Sequence, residues 1–262
     1  MDKIELKNIS VLNNDDLILQ NIDMSFSKGL VYGIMGNGGS GKTTIAKLLN
    51  GELKYAGEIK INGVEIVRSN FYLLKRFIMV VLNEEYKSSN KVVDELFSAL
   101  NGMNLSNEDE KNRINKIVNY FEIGEYLESK INNLSIIEKS YIYVLKALVS
   151  NADYLVLDDM LINLTGEMQK KIVDYCKENS ITLINCSSNM EDSLLSDYLY
   201  FLFKGKIAME GKKKECYQEE KLIKRIGLNL PFMADLATQL KYYGLLDEII
   251  LDKKEMVDII WK

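Results

Sequence analysis

The chain has 262 residues, enough for one large domain or a domain with an appendage, and its 47% hydrophobic and 27% charged residues are an ordinary globular balance. A formal net charge of −5 argues against nucleic acid as a main partner, because binding to a phosphate backbone rests on cationic contacts. The absence of any histidine excludes histidine-ligated zinc, Ser-His-Asp and Cys-His triads, and a histidine general base.

A chain of this length buries roughly three-quarters of the surface it exposes when unfolded, so folding requires neither disulfides nor metal. Cys176, Cys186 and Cys216 form no CxxC pair and read as small buried hydrophobes in a reducing compartment. No apolar stretch approaches the ~20 residues of a membrane helix. The start, Met1 to Lys7, lacks an apolar signal core, and the expectation is a cytoplasmic protein.

In chain order, residues 3–34 read as short strands, with Asn13-Asn14-Asp15-Asp16 as a turn and Leu30 to Met35 as a buried-type strand ending at Gly36. Thr43 to Leu49 reads as a helix, and Gly57 to Gly63 as a short strand with an Asn-Gly turn. The Met and aromatic residues of Phe71 to Tyr86 read as core and groove lining. From Lys91 to about Ser150 the apolar spacing is helical: Val92, Val93, Leu96 and Leu100 share one face, and Ile114, Ile117, Val118 and Phe121 another. Strand signals return at Tyr154–Leu157, Ile181–Ile184, Tyr198–Phe203 and Lys206–Met209, with a helix from Gly166 to Asn179 between the first two and a Lys204-Gly205 turn between the last two. Strands alternating with helices imply a mostly parallel sheet. Lys212-Lys213-Lys214 marks a solvated junction, and residues 215–262 read as helical, with Asp252 to Glu255 capping a last helix that carries Met256, Ile260 and Trp261. The division is thus 1–214, with a helical insertion at about 86–150, and an extension at 215–262.

The strongest chemical signal is Gly36-Asn37-Gly38-Gly39-Ser40-Gly41-Lys42-Thr43-Thr44, which fits G-x-x-x-x-G-K-[ST]. Glycines let successive backbone N–H groups curl around phosphate oxygens, and the helix that follows aims its positive end at them. Lys42 is placed to reach the β- and γ-phosphates and the Thr43 hydroxyl to ligate Mg²⁺. An apolar strand leads in and a helix leads out, as this geometry requires. Farther on, Tyr154-Leu-Val-Leu-Asp158-Asp159 is a strand ending in carboxylates, and Asp158 is the expected partner for Mg²⁺.

Together these elements resemble an ABC-type ATPase subunit over residues 1 to about 214. The tail, Ile226 to Leu240 and Asp247 to Met256, resembles the C-terminal region of energy-coupling factor (ECF) transporter ATPases. The resemblance implies an α/β fold: a P-loop ABC-ATPase core of mostly parallel sheet plus an antiparallel β part, with an inserted helical subdomain and a C-terminal helical extension. It also implies ATP and Mg²⁺ as cofactors. The implied partners are a second ATPase subunit, identical or paralogous, and a membrane T component that places the chain peripherally on the inner face of the cell membrane. Each nucleotide would sit between the cradle of one subunit and the signature of the other, and the segment from Phe77 to Leu100 would carry work to the membrane partner.

Outside the cradle the chain departs from the family. Leu134-Ser135-Ile136-Ile137-Glu138 stands where the family has LSGGQ: two β-branched residues crowd the approach that glycine permits, and Glu138 is expected to face phosphate, an unfavourable interaction of about 1–4 kcal/mol. Asp159, one methylene shorter, replaces the catalytic glutamate. The histidine position falls at Ser188, which offers a hydroxyl but no cation. The glutamine that senses γ-phosphate is replaced by Val81 or Leu82, with Asn83 the nearest polar residue, and the adenine-stacking aromatic aligns with Asn13. The implied function is an importer subunit in which Mg-ATP closes the dimer and hydrolysis is slow. The alternatives are an active ATPase with Asp159 as base and Asn83 as sensor, and a free-standing nucleotide-sensing regulator.

Overall fold

The computed structural model describes residues 2–13, 16–83 and 88–260. In chain order its elements are β1 (Lys3–Asn13), β2 (Asp16–Ser27), β3 (Val31–Met35), α1 (Lys42–Leu49), β4 (Ala56–Ile61), β5 (Val64–Glu65), α2 (Tyr72–Phe77), β6 (Ile78–Val81), α3 (Val92–Ser98), α4 (Asn107–Phe121) and α5 (Ile136–Val149). There follow β7 (Tyr154–Asp158), α6 (Gly166–Glu178), β8 (Thr182–Ser187), β9 (Tyr198–Phe203), β10 (Lys206–Lys212), α7 (Lys213–Gln218), α8 (Glu220–Arg225), α9 (Phe232–Tyr242) and α10 (Lys253–Ile260).

The strands form two sheets, a six-stranded one ordered β10-β9-β3-β8-β7-β6 and a four-stranded one ordered β2-β1-β4-β5. In the larger sheet every pairing is parallel except β9 with β10. Its central strands read as continuous apolar runs because α3 to α6 cover one face and α1 with the second sheet the other; every residue of β3 and of β7 is buried. Parallel pairing has one consequence for function: the carboxyl ends of β3, β7 and β8 fall at one edge. Met35 lies opposite Ser187 and Asp158 opposite Cys186, so the loops leaving these strands converge there.

The smaller, wholly antiparallel sheet is built on β1 and β2, which at 11 and 12 residues are long rather than the short strands expected. Three register shifts along their pairing bend the ribbon, and such bulges break the plain alternation that sequence patterning relies on. Asn14 and Asp15, half of the expected turn, lie outside the described residues. The Asn62-Gly63 and Lys204-Gly205 turns stand as read: all four residues have positive φ, which matches the twist of a tight hairpin.

The segment from Phe71 onward, read only as core lining, is a short helix running into an edge strand, α2 and β6. Residues 91–150 are helical as expected, with α3, α4 and α5 packed through Leu96, Leu100, Ile117, Phe121 and Leu145 against the sheet. Tyr86 and Lys87, at the expected start of this insertion, lie outside the described residues. The extension shares a core with the body: Met35, Leu199 and Phe201 pack with Tyr217, Ile223 and Ala234. Asp252 caps α10 through its Oδ1, which accepts from the Glu255 N–H at 2.8 Å; Trp261 lies outside the described residues.

Lys212–Lys214 is not a simple solvated turn. Lys213 is half-buried and donates from Nζ to the Leu194 carbonyl at 2.7 Å, and burial pushes its ammonium pKa down. All three cysteines are buried and free, as read.

Candidate functional site

The loop Gly36–Gly41 joins β3 to α1. Gly41 is the N-cap of α1 with φ +111°, and a β-carbon there would lie 2.6 Å from Leu19 Cδ2, so both conformation and close approach demand glycine. The helix has no side-chain cap hydrogen bond and no acidic residue in its first turn. Its leading N–H groups are therefore neither capped nor neutralised by the chain, the condition for an anion site at a helix start. Asn37, Gly38, Gly39 and Thr43 are exposed, Thr44 is half-buried, and Gly36, Ser40 and Lys42 are buried.

Lys42 is 5% exposed and donates from Nζ to the carbonyls of Gly36 (2.7 Å) and Asn37 (3.2 Å). The ammonium is parked on the backbone of the loop that an anion would occupy. Buried nearby are two oxygens without a hydrogen-bond partner, Asp158 Oδ1 and Ser40 Oγ. Burial pushes the Asp158 carboxyl pKa up, Thr43 pulls it down, the neighbouring Asp159 pushes it up again and Lys42 opposes. A buried, partnerless carboxylate oxygen beside the Thr43 side chain costs free energy unless a cation completes it. The donor set, a hydroxyl and a carboxylate with the phosphate loop alongside, suits Mg²⁺ held with a polyphosphate.

Beyond Asp158, Asp159 adopts a positive φ of 49° and its N–H donates to the Cys186 carbonyl at 2.8 Å. Its Oδ1 accepts two hydrogen bonds from Ser188, from the backbone N–H at 2.9 Å and from Oγ at 3.2 Å. The base position and the histidine position are thus joined to each other. Ser188 does not have the free hydroxyl expected for a phosphate oxygen; it serves Asp159. The turn that follows is tied down by the Ser187 hydroxyl, which donates to Asp192 Oδ2 at 2.6 Å and accepts from the Asn189 N–H at 3.1 Å.

The signature positions begin α5, and here the geometry corrects an expectation. The half-exposed Glu138 carboxylate turns back onto its own helix start. Its Oε2 accepts from the Ser135 N–H at 2.7 Å while Ser135 Oγ accepts from the Glu138 N–H at 3.3 Å, a reciprocal capping box. These bonds hold the Glu138 carboxyl below the usual range. The Ser135 N–H donates and its hydroxyl oxygen accepts within their own helix. Ile136 is 76% and Ile137 43% exposed, so the start of α5 presents two branched apolar side chains. Asn83 is exposed just past β6, beside Glu84–Lys87, which lie outside the described residues.

Sequence reading missed the contributions of the hairpin and the tail. Leu12 and Leu17 face each other across β1 and β2 next to Asn13 and are 64% and 48% exposed, on the same ribbon whose Leu19 packs on Gly41. Asn37 donates from Nδ2 to the carbonyls of Ile226 and Gly227. Neither contact has a local signal, because the partners lie far apart in sequence.

Comparison with known proteins agrees with this geometry. A family model described as ABC transporter matches residues 19–161, more than half of the chain. A Clostridium acetobutylicum protein named for the ABC transporter ATP-binding class is 29% identical over 94% of this chain and 92% of its own length. The energy-coupling factor transporter ATP-binding protein EcfA1 of Mesomycoplasma hyopneumoniae is 27% identical over 95% of this chain and 93% of its own. The solved structure of CbiO1 from Clostridium perfringens, part of the ABC transporter complex CbiONQ, superposes with a TM-score of 0.75 at 25% identity, covering 90% of this chain and 99% of that one. The chain belongs to the ABC transporter family and has its P-loop ATP-binding fold. Among the described residues, no helix is long and apolar enough to cross a membrane.

Proposed function

We propose that the chain is the ATP-binding subunit of an ECF-type importer, working as a dimer docked on a membrane component, with Mg-ATP favouring closure and turnover slow. The observation that carries this reading is the phosphate loop itself: a lysine parked on the loop's carbonyls, an uncapped helix start, and two orphaned buried oxygens, Asp158 Oδ1 and Ser40 Oγ, at one edge of the sheet. Lys42 would exchange its two carbonyls for phosphate oxygens, Gly38 to Lys42 would present backbone N–H groups, and Thr43 with Asp158 would hold Mg²⁺. When bound, Mg²⁺ would supply neutralisation of the polyphosphate charge. Leu12 and Leu17 offer an apolar platform for the base in place of an aromatic ring at Asn13. The relatives' names, an energy-coupling factor transporter ATP-binding protein and a part of an ABC transporter complex, support the transporter role and assembly with other subunits.

Slow turnover follows from two arrangements. Asp159 is shorter than glutamate, and Ser188 holds it by two hydrogen bonds to Oδ1, so the remaining oxygen, Oδ2, meets a water from farther back than a glutamate would. The start of α5 also presents the exposed branched side chains of Ile136 and Ile137 where the family has glycines, which obstructs approach to a partner's nucleotide. In a homodimer both sites carry both defects; with an intact paralogue each site carries one. The working division is a nucleotide-binding body, 1–214, and an extension, 215–262.

The test is calorimetric titration with Mg-ATP followed by turnover of the native complex. Binding in the micromolar range with turnover below about 1 s⁻¹, the bottom of the ordinary enzyme range, is expected. Absence of binding at millimolar Mg-ATP overturns the nucleotide reading, and turnover of tens per second overturns the slow-hydrolysis reading.

A further inference from the structure

Asn37, the second residue of the phosphate loop, is bonded at both ends. Its backbone carbonyl accepts from Lys42 Nζ at 3.2 Å and from the Ser40 N–H at 3.1 Å. Its side-chain amide reaches about 190 residues along the chain and donates to the carbonyls of Ile226 (3.1 Å) and Gly227 (3.0 Å). Those carbonyls close the C-terminal end of α8, where a helix has acceptors without intrahelical partners. Gly227 has φ +82°, and a β-carbon on it would stand 2.5 Å from Asn37 Nδ2. A second tie lies beyond the histidine position: Glu191 Oε1 accepts from the Phe232 N–H at the start of α9, at 2.7 Å. Between the ties is a cleft of about 350 Å³ that Asn37, Ser188, Glu191, Gly227 and Asn229 help to line. The extension therefore touches the loop that holds phosphate and the turn that follows Ser188, and packs its apolar residues under Met35, immediately before Gly36.

We propose that Asn37 is a positioning residue that locks the phosphate loop to the C-terminal extension, so that polyphosphate on the loop and docking of residues 226–232 stabilise each other. The same residue that must release Lys42 when phosphate arrives also holds the tail, so the loop cannot change shape without loading or unloading the Ile226 and Gly227 carbonyls. Coupling of this kind is reciprocal: what strengthens one partner's hold strengthens the other's by the same factor. The inference rests on the nucleotide reading of the loop and adds to it a route by which the extension senses occupancy.

The full-length chain tests it. Asn37→Ala is expected to weaken Mg-ATP affinity about fivefold or more, at a melting temperature close to wild type. Gly227→Ala is expected to weaken it similarly in the wild-type background and, while its φ of +82° lowers the melting temperature in either background, to weaken ATP affinity little further once Asn37 is alanine and the contact is gone. In hydrogen exchange, Mg-ATP is expected to protect residues 226–232 of the wild type and not of Asn37→Ala, a response that a purely structural bond does not produce. Affinity within about twofold of wild type, or exchange at 226–232 that ignores Mg-ATP, overturns the proposal. Should Asn37→Ala fail to fold, wild-type exchange decides alone: ATP-linked protection supports the lock and its absence removes it. No Mg-ATP binding by the wild type removes the nucleotide reading and the lock together, whereas normal binding without coupling removes only the lock.

Discussion

Asp158 shows what a binding site costs before its ligand arrives. Its carboxyl is 4% exposed with one oxygen lacking a partner, and burial holds its pKa above the ordinary carboxylate value. Leaving such an acceptor unsatisfied costs about 1–3 kcal/mol. Asp158→Asn removes the buried charge, so the nucleotide-free protein is expected to melt about 2–4 °C higher at neutral pH, while Mg²⁺ no longer strengthens ATP binding. Differential scanning calorimetry and titration with and without Mg²⁺ check both halves; a lower melting temperature with Mg²⁺ dependence intact would show that Asp158 is only structural. Next to it, Asp159 is the natural candidate for a base, but it is one methylene shorter than glutamate and Ser188 holds it back through Oδ1. Asp159→Asn is therefore expected to change turnover of the complex less than about threefold, against the 10²–10⁴-fold of a working general base. A loss of that larger size would revive the fully active alternative.

At the level of single elements, α5 is the informative case. Its capping box satisfies two N–H groups at the helix start and orients Glu138 inward along the helix. Glu138→Ala is expected to cost about 0.5–2 kcal/mol at pH 7, measured by urea denaturation. The pH dependence follows from the lowered carboxyl pKa, caused by the Ser135 hydrogen bonds. A depressed pKa contributes stability that is present above the ordinary value and is lost as pH falls through the folded one. The gap between wild type and Glu138→Ala should therefore be full at neutral pH and shrink below about pH 4. A gap that is unchanged at pH 3 would mean that the carboxylate is not the capping group. The hairpin of β1 and β2 makes a parallel case: with the proposed Leu12 and Leu17 platform under the base, Leu17→Ser is expected to weaken ATP binding while sparing inorganic triphosphate, and equal loss for both ligands would remove the platform.

Taken together, the extension and the body behave as one packing unit rather than as a domain with a handle. Tyr217 and Ile223 are fully buried against residues of β9 and the end of β3. Cutting after Lys214 strips cover from Met35, Leu199 and Phe201, and burial of each large apolar side chain stabilises by about 1.5–3 kcal/mol. A 1–214 fragment is expected to bind a hydrophobic dye and to aggregate below 37 °C, where the full chain stays monomeric or dimeric; a fragment with native circular dichroism and normal ATP affinity would show that the two parts are independent.

How much of this was legible in the linear chain depends on the range of the interaction. The phosphate loop, the Asn62-Gly63 and Lys204-Gly205 turns and the Asp252 cap were readable because each is made by residues within a few positions of one another, where backbone preference alone selects the conformation. The helix α2 and strand β6 escaped because a mixed apolar stretch carries no single period. The long bulged ribbon of β1 and β2 was read as fragments because a bulge resets the alternation. Glu138 is a different case: its charge was visible in the chain, but the hydrogen bond that turns it to its own helix start was not read. Sequence by itself determined that the protein holds a phosphate loop ahead of a strand with two terminal aspartates. Only the tertiary structure decided that Ser188 occupies Asp159 and that Asn37 grips the tail, because those pairs meet only after parallel strands align their ends and the extension folds back on them.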